Sequence, residues 1–159
     1  MQRSGQFSIT QAGSGQLRGC ASYTQILFMI SLKTLKDATE QEVFDQVATH
    51  LLKQNEQSCR GTMCAYRGDG GLKCAAGCLI GDDEYSREWD ENFIGWPKLV
   101  TKGIVPHLHG ALVGRLQQIH DIYAPEQWKA ELANVADYFK LNTNALLNFH
   151  RCFYYGREV

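Results

Sequence analysis

The chain has no acidic residue in its first 36 positions, no long apolar run, only three prolines and no pair of cysteines two residues apart. Each shortage excludes something. A spanning helix needs about 18 consecutive apolar residues, and the longest local stretch, residues 26–30, falls far short, so no membrane role is expected. The missing acids leave Arg3, Arg18, Lys33 and Lys36 uncompensated, while the rest of the chain carries twelve basic against seventeen acidic side chains. An acidic body lacks the basic footprint that displaces counterions from phosphates, which disfavours nucleic acid as a partner. The glycine-rich run 68–71 lacks the Gly-Lys-Ser/Thr ending of a phosphate loop. The acids between residues 82 and 91 lack the alternating frame and closing Glu of a calcium loop.

What is present suits one globular domain. A chain of 159 residues, 44% hydrophobic and 21% charged, can bury a core without a metal or disulfide staple. Residues 1–28 show no apolar period and read as a disordered or dispensable extension, with a single domain over 29–159. The clearest helix spans residues 39–54. Thr39 and Glu42 stand in capping-box spacing, and Val43, Val47 and Leu51, widened by Phe44, Ala48 and Leu52, form one apolar stripe. A second helix is predicted over 107–123, with Leu108, Leu112, Leu116 and Ile119 as its inner face. A third starts at Pro125, carrying Trp128, Leu132, Val135, Ala136 and Phe139. A short last helix is predicted over 142–150.

Between the first two helices the pattern changes. Residues 63–67 and 72–76 flank Gly68-Asp69-Gly70-Gly71, and Asp-Gly is a strong short-range hairpin signal. The expectation is a β-hairpin that brings Cys64 near Cys74. Residues 75–80 are small and apolar and predict a short buried helix around Gly77. The fold class is therefore α+β: a hairpin or small antiparallel sheet packed against three to four helices.

The blocks Cys64-Ala65-Tyr66-Arg67, Lys73-Cys74-Ala75-Ala76-Gly77-Cys78-Leu79-Ile80 and Asp82-Asp83-Glu84-Tyr85, followed by Leu116-Gln117-Gln118-Ile119-His120-Asp121, resemble a family of small uncharacterised proteins encoded by tailed bacteriophages and prophages. The resemblance covers residues 39–141. It implies a virus-encoded protein of the bacterial host cytoplasm and carries over no catalytic role.

Three functional readings follow. The first is a non-enzymatic phage accessory protein that binds a host or viral protein. It would use the acidic residues Asp82, Asp83 and Glu84 or the aromatics Tyr66, Trp89, Phe93 and Trp96, with Arg67 as an anion-pairing group; aromatics beside charge make good interface anchors. This reading needs no cofactor. The second is a zinc-supported binding module. Cys59, Cys64, Cys74 and Cys78 fall within twenty residues, though at gaps of four, nine and three, and His107 and His109 offer a mixed alternative. The third is a cysteine-dependent hydrolase, in which Cys64 or Cys74 is activated by His107, His109 or His120, with Asp121 orienting the base.

Overall fold

A computed structural model of the chain describes residues 29–147. The expectations for residues 1–28 and for the end of the last predicted helix lie outside the described residues. Among the described residues, six α-helices and one two-stranded antiparallel sheet form an α+β arrangement.

Helix α1 (Glu40–Gln54) starts where its sequence says it should. The Thr39 hydroxyl accepts from the Glu42 N–H while the Glu42 carboxylate accepts from the Thr39 N–H, closing the capping box. Val43, Phe44, Val47, Ala48, Leu51 and Leu52 are buried. Helix α4 (Gly110–Ile122) buries Leu112, Val113, Leu116, Ile119 and His120, and α5 (Pro125–Phe139) buries Trp128, Leu132 and Ala136. α1 packs on α4, on α5 and on the short α6 (Asn144–Leu147), and this helical layer contains the largest fully buried side chain among the described residues, Trp128. α4 begins later than its periodicity suggested. His109 takes a left-handed φ of 63° as the N-cap, leaving His107 and Leu108 outside the helix.

The strands are β1 (Cys59–Arg60) and β2 (Met63–Cys64), joined through Gly61 and Thr62. The expected hairpin about residues 68–71 is reduced to a single bridge, Arg67 with Lys73, around a 3-10 turn over Asp69–Gly71. Cys64 faces Cys59, and not Cys74, across the ladder. The reason is a competing acceptor. The N–H groups of Tyr66 and Arg67, which would otherwise extend a ladder, donate to the two carboxylate oxygens of Asp90 at 2.7 and 3.2 Å. A second 3-10 turn, Gly77–Leu79, is buried as expected. A Cβ on Gly77 would lie 2.3 Å from the Tyr66 carbonyl oxygen, so the close approach of these two backbones requires glycine.

Two short helices complete the fold: α2 (Arg87–Glu91) and α3 (Trp96–Thr101), which packs on α4. No helix among the described residues is long and apolar enough to cross a membrane.

Candidate functional site

The C-terminal half of α4 and the β1–β2 hairpin meet at one residue, Ser58. Its N–H donates to His120 Nε2 at 2.8 Å, its hydroxyl donates to the Ala65 carbonyl at 2.9 Å, and the same oxygen accepts from the Gly68 N–H at 2.9 Å. Gln57 adds a bond from its side-chain amide to the His120 carbonyl at 2.7 Å. These bonds fix the hairpin over the end of α4. His120 is fully buried and stacks on Trp128 with ring centroids 5.7 Å apart. Because Nε2 accepts from a backbone amide, the ring proton sits on Nδ1, which donates to Asp121 Oδ1 at 2.8 Å. Gln117 donates to the same oxygen at 2.7 Å.

Cys64 sits on the other side of that carboxylate. Potential ligand atoms of Cys64, His120 and Asp121 all lie within 4.8 Å of one another, and among the described residues no other group of three or more such side chains converges. The Cys59 and Cys64 sulfurs are 3.9 Å apart. Partial burial of the sulfur, then the Asp121 carboxylate and the Cys59 thiol beside it, push the Cys64 thiol up to about 12. Such a thiol is not the thiolate that attacks electrophiles at neutral pH. The order of groups is wrong as well. In a nucleophile-activating triad the imidazole stands between thiol and carboxylate, whereas here both ring nitrogens are committed elsewhere and the carboxylate occupies the middle. Cys74, 1% exposed, accepts from the Gly77 N–H and is pushed by burial up to about 12. The geometry gives the hydrolase reading no support.

The four-cysteine grouping is not assembled either. Cys74 and Cys78 are buried in the core, and the Cys78 thiol donates to the Ala75 carbonyl at 3.1 Å. His107 is exposed, and His109 bonds through Nε2 to the Ala38 carbonyl, so neither joins the cysteines.

The binding candidates divide sharply. Arg67 is not a free anion receptor: its guanidinium donates to the carbonyls of Tyr66, Gly77 and Ile80 and pairs with Asp82. Lys73 also pairs with Asp82, and Lys33 with Asp83. Glu84 accepts from the N–H groups of Gly81, Leu32 and Lys33 and from the Ser31 hydroxyl. The acidic run is therefore already engaged within the molecule: Glu84 ties residues 31–33 to Gly81, while Asp82 and Asp83 sit in exposed ion pairs that add little stability. Trp89 is buried edge-on between Tyr66 and Tyr85, with centroids 6.3 and 6.2 Å away.

Phe93 differs from all of these. It is 69% exposed and has a φ of 52°. It follows the α2 C-cap, where the Ile94 N–H reaches back to the Trp89 carbonyl at 2.8 Å, a position that normally takes glycine or asparagine. A bulky side chain in this region costs about 1–3 kcal/mol. Its ring borders a groove of about 390 Å³ whose other walls include Met63, Cys64, Tyr66 and Trp96, with Gln117 and Asp121 at α4. Trp96, Gln117 and Asp121 also line a neighbouring groove of about 580 Å³ that runs between α3, α4 and Tyr138. The Trp96 indole Nε1, buried in this wall, has no hydrogen-bond partner among the described residues.

Sequence reasoning named Cys64, His120, Asp121 and the four aromatics, but missed Ser58, Asp90 and Gln117, which position them. No local signal marks Ser58. Asp90 was visible only as one acid among several. No family model, curated protein or solved structure matches the chain.

Proposed function

We propose that the protein is a non-enzymatic binding module, a bacteriophage accessory protein that acts by docking a host or viral protein in the groove beside Phe93. The phage assignment rests on the sequence blocks described above. The binding mode rests on one observation: a large aromatic ring is held in solvent, in a backbone conformation that disfavours it, at the lip of a groove. Strain of this kind persists only where the surroundings over-determine it, and an exposed aromatic next to a concave apolar wall is the kind of anchor that dominates interface energetics. The partner is an extended protein segment with an apolar side chain for the groove.

Photo-cross-linking tests this reading. A benzophenone-bearing phenylalanine replaces Phe93 in one variant and Ile122, 70% exposed and outside the groove, in another. In infected cells the Phe93 probe is expected to give a discrete protein adduct and the Ile122 probe none. Adducts that are absent from both, or identical for both, contradict the proposal.

A further inference from the structure

The hairpin brings together two thiols and a carboxylate in a way that the docking of a protein segment does not need. The Ala65 N–H donates to the Ser58 carbonyl, so Ser58 and Ala65 form a hydrogen-bonded pair and the next pair in the ladder, Cys59 with Cys64, is a non-hydrogen-bonded one. Side chains at such a pair project to the same face and come closest together. Their sulfurs stand 3.9 Å apart. A tetrahedral cation with metal–sulfur bonds of about 2.3 Å sets two thiolates about 3.8 Å apart, so the pair already has the spacing of one edge of such a site. The third corner is Asp121. Its carboxylate lies within 4.8 Å of the Cys64 sulfur and is held by two donors, His120 Nδ1 at 2.8 Å and Gln117 Nε2 at 2.7 Å, both on the same oxygen.

We propose that Cys59, Cys64 and Asp121 form a site for a thiophilic divalent cation of the zinc class, with the fourth position open to the groove. Two thiolates and one carboxylate are a borderline-soft donor set that selects such a cation over magnesium or calcium. His120 is a positioning residue here and not a ligand. To ligate through Nδ1 it would have to move its proton to Nε2, which then would face the Ser58 N–H, donor against donor. A ligand carboxylate oriented by a buried imidazole is an outer-shell arrangement of the sort that tunes metal sites. Cys59 touches Cys64 but stands outside the 4.8 Å group in this structure, so the site as proposed closes only when the Cys59 side chain turns about its own torsion toward Asp121.

The test uses the full chain carrying Cys20→Ser and Cys152→Ser, kept reduced, and titrated with cadmium ions alone. The expected result is a saturable sulfur-to-cadmium charge-transfer absorption at one ion per chain. Cys59→Ser and Cys64→Ser should each weaken binding by about 100-fold or more, and Asp121→Asn by about 10- to 100-fold. Cys64 and Asp121 are exposed, so these two variants should keep the fold, and circular dichroism checks it. In parallel, zinc ions should raise the melting temperature of the parent chain and leave that of Cys64→Ser unchanged. Absence of a saturable band, or a band undiminished by either cysteine substitution, overturns the proposal. Loss with both cysteine variants but indifference to Asp121→Asn also overturns the site as drawn, leaving a bare dithiol.

Discussion

The helical layer and the segment from Gln57 to Ile94 are held together by different physics. α1, α4 and α5 meet through apolar stripes, and the contacts of Val43, Phe44, Leu116, Trp128 and Leu132 depend on volume and not on direction. The other region has short strands and short helices; it adds Tyr66, Leu79, Ile80 and Trp89 to the same core, and beyond that burial its order comes from side chains that terminate backbone groups. Arg67 serves three carbonyls, Asp90 two amides and the Tyr85 hydroxyl, Glu84 three amides, and the Ser58 hydroxyl the Ala65 carbonyl and the Gly68 amide. Burial is non-directional and tolerates repacking, whereas a buried donor left unmatched costs the full desolvation of that group. The exposed candidate groups Cys64 and Phe93 sit in the second region, where directional bonds can fix side chains without surrounding them, and Asp121 meets Cys64 from α4 in the helical layer.

The largest expected effect breaks that region at its tightest point. Gly77→Ala places a methyl group 2.3 Å from the Tyr66 carbonyl oxygen and displaces the carbonyl that Arg67 binds. A loss of about 3 kcal/mol or more is expected from chemical denaturation. Equal stability of the variant would mean that the two backbones are not packed as described.

A pair of shape-conserving substitutions sharpens the comparison. Leu132→Met in the helical layer keeps volume and should cost less than about 1.5 kcal/mol. Asp90→Asn also keeps shape, but one carboxylate oxygen becomes an NH2 facing backbone donors, and a loss of about 2–3 kcal/mol is expected. If Leu132→Met proved the costlier of the two, the division into volume-held and direction-held regions would fail.

Acid should release one piece of the second region before the helices melt. Burial alone would raise the Glu84 carboxyl, but the amides of Gly81, Leu32 and Lys33 and the Ser31 hydroxyl together hold it below its ordinary value of 4.5. A group with a folded-state pKa lowered in this way contributes stability that is fully present above 4.5 and is lost as pH falls through the lowered value. Amide-exchange protection at Leu32 and Lys33 should therefore drop selectively below pH 4.5, and Glu84→Gln should remove that pH dependence. Uniform loss of protection across α1 and residues 31–33 would contradict a local clamp.

Legibility in the sequence followed the same division. The capping box of Thr39 and Glu42, the stripe of α1 and the start of α5 at Pro125 could be read directly, because periodicity records burial. The hairpin lies one turn earlier than Asp69-Gly70 predicts, since that dipeptide is a local signal and Asp90, twenty-four residues from Tyr66, overrides it. The convergence of Cys64 with His120 and Asp121 depends on Ser58 bonding across 62 residues, and no spacing rule reports such a bond. Asp82, Asp83 and Glu84 look like a free acidic surface in the sequence because their partners, Arg67, Lys73, Lys33 and the backbone of residues 32–33, are scattered along the chain. Nothing in the sequence marks Phe93 as left-handed.

The smallest change in stability carries the most direct test of the functional account. Phe93→Gly relieves the left-handed conformation while removing a side chain that is 69% exposed, so the fold should gain up to about 1 kcal/mol. Thermal melting of this variant, measured beside its retention of the protein cross-linked at position 93, separates structure from function. The account predicts a melting temperature at or above that of the parent chain, together with loss of the partner. A variant that melts higher and still retains the partner at full affinity would contradict the claim that the exposed ring at the groove is what this fold is built to present.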